Sequence, residues 1–166
     1  MKPVSIRQAT RDDLVALEWN GEYTHFRRLY AEAYMMVEQG NGIIWIAEAD
    51  GDGLLGQCFV SLKGNRPELA DGVNRAYVYG FRVRPQFRSQ GIGTRLMHVI
   101  EEDLWKRGFR QVTLNVGKDN HQARCFYARL GYSVVGSDPG RWSYIDDKGK
   151  RRDMHEPAWR MIKNLG

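Results

Sequence analysis

The stretch RSQGIGTRLM, residues 88–97, decides the fold of this chain because two glycines stand where a helix begins. An apolar residue recurs at every fourth position after the first glycine: Ile92, Leu96, Ile100 and Leu104. This spacing predicts an amphipathic helix that ends near Lys106. Glycine is unfavourable inside a helix, so Gly91 and Gly93 indicate a place where the backbone approaches another group closely.

The loop before this helix has the chemistry of an anion site. The first backbone N–H groups of a helix lack intrahelical acceptors and carry the positive end of its dipole. Gly91 and Gly93 have no side chain that would hold a phosphate away, while Arg88 supplies a cation and Thr94 a hydroxyl. The loop lacks the Gly-Lys-Ser/Thr ending of nucleoside triphosphatases and the third small residue of dinucleotide sites. A tight turn that binds nothing is the alternative that the glycines alone leave open.

The composition is that of a globular protein in water. A hydrophobic fraction of 42% and a charged fraction of 27% in 166 residues are ordinary values for soluble proteins, and the length predicts one domain over residues 1–166. The N-terminal residues contain no apolar signal segment, and no apolar run reaches the length of a bilayer. We therefore expect a cytoplasmic protein without a membrane partner.

The charge and the cysteines limit the partners further. The formal net charge of +5 indicates an anionic partner of some kind. The densest basic run, DKGKRRD at residues 147–153, predicts a solvated hairpin tip, with nucleic-acid binding as the disfavoured alternative. Cys58 and Cys125 lack the spacing of a metal site, so we expect two buried thiols and no bound metal.

The hydrophobic pattern predicts a mixed α/β fold. Thr10, followed by acidic residues, predicts a helix through about Glu18, and apolar spacing predicts further helices over residues 24–39 and 120–131. Strands are predicted at residues 4–9, 42–49, 56–62, 74–83, 111–116, 132–136 and 157–165. Two central strands joined by a helix are expected to be parallel, and the ends of the chain to form antiparallel hairpins. We predict a mixed central sheet of about six or seven strands with helices on both faces.

Two segments resemble one known family. FRVRPQFRSQGIGTRLM, residues 81–97, resembles motif A of the GNAT (Gcn5-related) N-acetyltransferases, in which a strand, a proline and Arg/Gln-x-x-Gly-x-Gly/Ala precede a helix. NHQARCFYARLGY, residues 120–132, resembles the Asn-x-x-Ala-x-x-Phe-Tyr segment of the same superfamily. The resemblance is specific over residues 81–132 and weaker elsewhere. It implies a GNAT-like domain that transfers an acyl group to an amine, with acetyl-CoA or another acyl-CoA as the donor.

The resemblance also implies where acetyl-CoA lies. The backbone of the strand before the loop would bind the pantetheine arm: Phe81, Arg82 and Val83. The loop and the first helical turn would bind the pyrophosphate: Arg88, Ser89, Gln90, Gly91, Ile92, Gly93 and Thr94. The next parallel strand splays away, so the arm would lie between the two strands. Asn120 matches an asparagine that contacts the arm, although helix N-capping explains it equally and both roles are compatible.

Tyr127 matches the family tyrosine that protonates, or hydrogen-bonds, the departing thiolate. A phenol with a pKa of about 10 stays protonated at neutral pH and has a proton to give. Tyr127 lies two helical turns after Asn120, so both side chains point the same way. A purely aromatic core residue, as predicted for neighbouring Phe126, is the alternative.

No acidic residue stands where similar enzymes carry a general base. Relatives such as the ribosomal-protein alanine N-acetyltransferases have a glutamate where this chain has Asn115, which cannot take a proton. Glu22, His25 and Glu48 are candidates from elsewhere, with water as the default. A lysine-like amine of pKa about 10.4 is unprotonated in about one molecule in 2,500 at pH 7, whereas an α-amine near pKa ~7.8 is free in about one in seven. The missing base therefore favours an amine of low pKa, such as an α-amine.

The acceptor is less well defined than the donor. The segment LEWNGEYTHF, residues 17–26, lies where similar proteins close over the acceptor. Its residues Trp19, Glu22 and Tyr23 would form either an aromatic and acidic pocket for a cation or a buried helix–helix corner. We expect a small-molecule amine or a peptide N-terminus as acceptor. The sequence is also compatible with a homodimer that forms through the C-terminal strands. The alternative function is a module that binds acyl-CoA without turnover.

Overall fold

The computed structural model describes residues 3–166 and contains nine strands and three α-helices within them. The strands are β1 (Ser5–Gln8), β2 (Gly42–Ala49), β3 (Gly53–Ser61), β4 (Arg75–Val83), β5 (Gln111–Gly117), β6 (Ser133–Asp138), β7 (Arg141–Ile145), β8 (Arg151–His155) and β9 (Ala158–Asn164). The helices are α1 (Arg27–Glu38), α2 (Ile92–Lys106) and α3 (His121–Arg129). None of these helices is long and apolar enough to cross a bilayer.

Seven strands form one mixed sheet in the order β1-β2-β3-β4-β5-β9-β6. Strands β4 and β5 are parallel, and the other neighbours in this sheet are antiparallel. Strands β7 and β8 form a separate two-stranded hairpin. The predicted mixed sheet of six or seven strands is confirmed.

Each face of the sheet has its own hydrophobic core, because alternate residues of β2 point to opposite sides. The α2-side core contains the predicted four-residue stripe: Ile92, Leu96, Ile100 and Leu104. The α1-side core contains residues of α1 and of the segment before it: Leu17, Trp19, Phe26 and Tyr30. Helices therefore cover both faces, as predicted.

The helix predicted to begin at Thr10 is wrong. Its capping signal is real, because Asp13 Oδ2 accepts a hydrogen bond from the Thr10 N–H at 2.7 Å, but only short 3₁₀ turns follow. Trp19 and Asn20 have φ values of 49° and 58°, which a right-handed helix does not contain. The chain turns there to bury the indole, whose Nε1 donates to Gln57 Oε1 at 2.9 Å. Burial of this aromatic side chain outweighs the local helix signal.

Strand β4 contains a bulge at Gly80 that the alternating pattern did not predict. Gln57 pairs with Arg82 and Phe59 pairs with Tyr79, so β4 has one residue more than β3 between these pairs. Gly80 has a φ of 61°, and a Cβ on it would lie 2.7 Å from Cδ1 of Phe59. A glycine inside a strand is the sequence signal that indicates such a bulge.

The bulge reverses the alternation of side chains for the rest of β4. Tyr79 packs on the α1 side of the sheet, and without the extra residue Phe81 would follow it there. Instead Phe81 packs on the α2-side core, and Arg82 reaches the α1 side. One inserted glycine therefore decides which side chains of β4 face each half of the site.

The hairpin of β7 and β8 carries the basic run at its tip, as predicted. Asp146 Oδ1 accepts hydrogen bonds from the backbone N–H groups of Lys148 and Lys150 at 3.0 and 2.9 Å, which closes the turn. The hairpin folds back over α1, because the Tyr144 ring packs edge-on against Phe26 with centroids 5.0 Å apart. It therefore covers part of the α1-side core.

A buried carboxylate joins β6 to β9 and to the loop before β4. Asp138 is 3% exposed, and its Oδ2 accepts hydrogen bonds from Arg66 and Arg160, each at 2.7 Å. Burial alone would raise the pKa of Asp138, but the Gly140 N–H and the two guanidinium groups outweigh burial and hold that pKa well below its usual range. The carboxylate is therefore charged in the folded protein at neutral pH.

We expect Asp138→Asn to destabilise the protein at pH 7 and to weaken its acid sensitivity. Because the folded-state pKa is lowered, the stabilisation is complete above the unfolded pKa of about 3.9 and disappears as the pH falls towards the folded value. We expect a loss of about 2–3 kcal/mol at pH 7, less than for a fully buried pair because Arg66 is half exposed. Urea unfolding between pH 7 and 2 measures both effects, with the exposed Asp153→Asn as control. Parallel curves for Asp138→Asn and the native chain would contradict this account.

Candidate functional site

The parallel strands β4 and β5 separate in the middle of the sheet. Their last paired residues are Val78 and Leu114. Beyond this pair, β4 follows β3 as far as Val83, while β5 follows β9 as far as Gly117. A V-shaped gap opens between them, and the backbone groups along its edges are left without a strand partner.

The loop beside this gap leads from β4 into α2. Ser89 and Gly91 have φ values of 61° and 80°, so the backbone turns through the left-handed region twice. Nothing lies within 4 Å of a Cβ placed on Gly91, which leaves its backbone open. Within the described chain no side chain caps α2, so the N–H groups of its first turn, Ile92 to Thr94, stay free. These are the features of a site for an anion.

Gly93 has a packing role in addition to the one predicted for it. A Cβ at this position would lie 2.9 Å from Cζ of Phe81 and 3.3 Å from Cζ of Phe126. Glycine therefore allows α2 to approach β4 and α3 closely. The two glycines differ, since Gly91 leaves space for a ligand and Gly93 leaves space for two aromatic rings.

Two residues predicted to contact the donor also make contacts within the protein. Arg88 donates from Nε to the carbonyl of Val83 at 3.0 Å, which holds its guanidinium at the end of β4. Asn120 caps α3, because its Oδ1 accepts a hydrogen bond from the Ala123 N–H at 3.1 Å. The capping role proposed as an alternative for Asn120 is therefore present, and it leaves the Nδ2 group free for another partner.

Tyr127 lies where the α2-side core meets the loop. Its ring packs edge-on against Phe81 and Phe126, with centroids 6.1 and 5.3 Å apart. The residue is 8% exposed, and within residues 3–166 its hydroxyl makes no hydrogen bond. Burial raises the pKa of Tyr127 well above its usual value, so the phenol keeps its proton. The aromatic packing proposed as an alternative is present, and the free hydroxyl remains available for chemistry.

A buried carboxylate connects α2 to the chain that follows Tyr127. Tyr132 donates its N–H to the Tyr127 carbonyl at 3.0 Å and its hydroxyl to Glu101 Oε2 at 2.8 Å. Lys163 Nζ donates to Glu101 Oε1 at 2.7 Å. The helix that begins at the glycine loop and the helix that carries Tyr127 are therefore joined through one side chain.

The α1 side of the gap is lined by polar and aromatic side chains. Asn115 lies directly beyond the last β4–β5 pair, and its buried Oδ1 has no hydrogen-bond partner in the described chain. The rings of Tyr77 and Tyr79 stack with centroids 5.4 Å apart, and burial raises the pKa of both hydroxyls. The two tyrosines line a cavity of about 230 Å³ together with Ser61 and Arg66.

The three base candidates differ in their surroundings. Glu48 is engaged at the β1–β2 edge by Arg7, whose Nε lies 2.7 Å from Oε1. His25 packs against Phe26 with ring centroids 4.2 Å apart, on the α1 side. Glu22 is exposed. The ion pair of Glu48 identifies it as a structural residue, and no general base is assigned.

Of the two alternatives for the segment 17–26, the structure shows the buried corner. Trp19 is 5% exposed and makes the buried corner that was the alternative. The ring of Tyr23 already faces a cation of the chain itself, because Cζ of Arg82 lies 4.4 Å from its centre. Cζ of Arg84 lies 5.1 Å from the ring centre of Trp19. The positions of these two side chains were not predicted, because the bulge at Gly80 that turns them to the α1 side was not predicted.

The structure also shows the surroundings of the two cysteines and of the side chains that could bind a metal. Cys58 is buried, but Cys125 is exposed, so the prediction of two buried thiols is wrong for Cys125, which lies on the outward face of α3. Among residues 3–166 no three metal-ligating side chains come together.

Comparison with known proteins shows the family of this chain. Residues 8–132 match the model of the Acetyltransferase (GNAT) family. Because the match covers most of the chain, this protein belongs to the GNAT family of acetyltransferases. The resemblance inferred from residues 81–132 is confirmed.

Two archaeal relatives are also N-acetyltransferases by name. The chain is 29% identical over 141 residues to an uncharacterised N-acetyltransferase of Archaeoglobus fulgidus, a match that covers 75% of this chain and 90% of that protein. It is 30% identical over 148 residues to an uncharacterised N-acetyltransferase of Methanocaldococcus jannaschii, covering 80% of this chain and 62% of the relative. This chain therefore matches less than two thirds of the second relative.

Solved structures share the fold over nearly the whole chain. The ribosomal-protein-S18-alanine N-acetyltransferase of Escherichia coli superposes with a TM-score of 0.74 at 17% identity, covering 99% of this chain and 95% of that one. Arabidopsis thaliana NAA60 in complex with acetyl-CoA superposes with a TM-score of 0.72 at 17% identity, covering 98% and 99%. These likenesses establish the fold.

Proposed function

We propose that this protein transfers the acetyl group of acetyl-CoA directly to a primary amine of a small molecule or a peptide N-terminus. The observation that carries the proposal is the gap between β4 and β5. The uncapped N-terminus of α2 lies at one side of this gap, and the protonated hydroxyl of Tyr127 lies near it. The backbone of Phe81 to Val83 would bind the pantetheine arm, residues 88–94 the pyrophosphate, and the free amide group of Asn120 the arm. The acetyl-CoA complex of the Arabidopsis neighbour supports this choice of donor.

The proposed reaction needs one proton donor from the protein. The amine nitrogen attacks the thioester carbonyl carbon, a C–N bond forms, and the carbonyl oxygen becomes a tetrahedral oxyanion. When the intermediate collapses, the C–S bond breaks and Tyr127 gives its proton to the sulfur. Burial disfavours the resulting tyrosinate, so Tyr127 regains a proton from solvent, and water takes the proton that the amine loses.

The acceptor amine is proposed to have a low pKa. Asn115 occupies the position of the family's glutamate and offers a hydrogen-bond acceptor, Oδ1, but no base. An amine that is already neutral near pH 7 needs no base before it attacks, and an α-amine meets this condition far better than a lysine-like amine.

The release of CoA from acetyl-CoA in the presence of different amines tests this proposal. We expect α-amines of short peptides to give a kcat/KM at least about tenfold above that of simple polyamines at pH 7, because a larger fraction of the α-amine is neutral. A polyamine that reacts fastest would contradict the low-pKa acceptor. Tight binding of acetyl-CoA without CoA release for any amine would favour the non-catalytic binding module. The cytoplasmic location and the homodimer stay predictions.

A further inference from the structure

Arg82 reaches the α1 side of the gap without a carboxylate partner. Its Cζ lies 4.4 Å from the ring centre of Tyr23 and 5.6 Å from that of Phe26, and its Nη1 donates to the Tyr30 hydroxyl at 3.4 Å. A guanidinium group has five N–H donors, and this contact uses one of them. The others have no acceptor within residues 3–166, although the residue is half-buried. A half-buried guanidinium with unused N–H donors can bind an anionic group of a ligand at that point.

Arg84 adds a second positive charge to the same face, two residues further along. Its Nε donates to the carbonyl of Leu54 at 2.7 Å, and its Cζ lies 5.1 Å from the ring centre of Trp19. In the described chain no carboxylate oxygen lies within 4 Å of the nitrogens of Arg82 or Arg84. The two groups are oriented by aromatic rings and by a carbonyl, and their charge is not neutralised.

Two of the buried carboxylates on this side of the sheet are already occupied, and a third in the described chain, Asp146, is held by the hairpin turn and by Arg152. Glu18 accepts hydrogen bonds from Arg27 Nε and Nη2 at 3.0 and 2.9 Å. Asp138 accepts from Arg66 and Arg160 as described above. None of these is free to compensate the two arginines, so the acceptor side of the gap keeps an excess of positive charge.

A buried amide beside Arg82 points to the same kind of ligand. Gln57 is fully buried and pairs in register with Arg82 across β3 and β4. Its Oε1 is taken by the indole of Trp19, whereas its Nε2 has no hydrogen-bond partner in the described chain. A buried N–H donor without an acceptor costs free energy, and that cost is recovered if an anion is bound next to it.

We propose that the acceptor carries a carboxylate close to its amine and that Arg82, together with Arg84 and the Nε2 group of Gln57, binds this carboxylate. The inference rests on the proposed function, because it describes the acceptor of the same transfer. A planar carboxylate matches the paired N–H groups of a guanidinium. Arg82 follows Phe81, whose ring contacts Tyr127, so the anion site and the proton donor lie on opposite sides of one short stretch of β4. We place this carboxylate on the residue that follows the one bearing the amine.

A matched pair of peptides tests the inference. Both have a free N-terminus and an amidated C-terminus and differ only by Asp or Asn at the second residue, so the pKa of the attacking amine is nearly the same. We expect the native chain to use the Asp peptide with a kcat/KM about 10- to 100-fold higher, the effect of charge-assisted hydrogen bonds. Arg82→Gln equalises the two peptides, and Arg82→Lys keeps part of the preference. Arg129→Gln, an exposed arginine of α3, is the control and keeps all of it.

Binding of the same peptides in the presence of CoA, which has no acetyl group to transfer, separates this inference from the proposed function. If no amine releases CoA but the Asp peptide binds more tightly and Arg82→Gln abolishes the difference, the transferase proposal fails and the anion site stands. If amines react but the two peptides are used equally, the transferase stands and the anion site is wrong. An unchanged thermal midpoint shows that Arg82→Gln is folded. If this folded variant still prefers the Asp peptide, the assignment of the anion site to Arg82 is wrong.

Discussion

Tyr127→Phe is expected to lower kcat by about 10²- to 10⁴-fold, the range for loss of a general acid, and to leave the Kd for acetyl-CoA unchanged. The ring is held by Phe81, Phe126 and Tyr132 through packing, so phenylalanine keeps its place and only the hydroxyl is lost. Initial rates of CoA release, together with equilibrium binding of acetyl-CoA, separate the chemical step from donor binding.

Tyr34→Phe on α1 is the matched control, because the Tyr34 ring packs on the α1-side core, on the other face of the sheet from Tyr127, and its loss of a hydroxyl should leave kcat unchanged. The pH profile adds a second criterion. Since burial raises the pKa of Tyr127, its ionisation should not limit activity anywhere below about pH 10, the usual phenol value. Full kcat in Tyr127→Phe would mean that water protonates the sulfur and that Tyr127 is only a core residue.

Gly80→Ala is expected to damage both stability and catalysis. Its φ of 61° costs an alanine about 1–2 kcal/mol, and the overlap of Cβ with the Phe59 ring at 2.7 Å adds about 1–3 kcal/mol. We expect the free energy of unfolding, measured in urea, to fall by about 2–5 kcal/mol. Because the bulge sends Phe81 and Arg82 to opposite faces, the KM values for donor and acceptor should rise together.

Gly136→Ala provides the control within another strand. Gly136 lies in β6, its φ is not in the left-handed region, and no atom lies within 4 Å of a Cβ placed there. We expect this variant to unfold within about 0.5 kcal/mol of the native chain, as surface substitutions usually do. Gly136 also lies at an irregularity of its strand pairing, so equal losses in the two variants would mean that the positive φ and the Phe59 contact of Gly80 have no special role.

The half of the site that we propose to bind the donor was predictable because its signals are local. The helix from Ile92 to Lys106 and the helix from His121 to Arg129 follow from apolar spacing and from residues adjacent in the chain. The loop glycines lie next to the helix that they open, so their chemistry could be inferred without knowing what packs against them. Only the packing of Gly93 against Phe81 required the tertiary structure.

The acceptor half could not be predicted because its contacts are distant in sequence. Trp19 donates a hydrogen bond to Gln57, and Tyr144 of the C-terminal hairpin packs against Phe26. Local capping at Thr10 gave a definite but wrong helix, since burial of Trp19 outweighs it. The sequence pattern of one segment does not indicate whether local or distant contacts will determine its conformation.

The carboxylate of Glu101 has a consequence for how this protein can diversify. Because Glu101 joins α2 to Tyr132, and Tyr132 joins Tyr127, the donor half behaves as one preassembled unit on the α2-side core. The acceptor half consists of separate pieces on the other face, namely the segment 17–26 and the β7–β8 hairpin. Under the proposed function, exchange of these pieces would change the acceptor and leave the acetyl-transfer groups of the α2-side core in place.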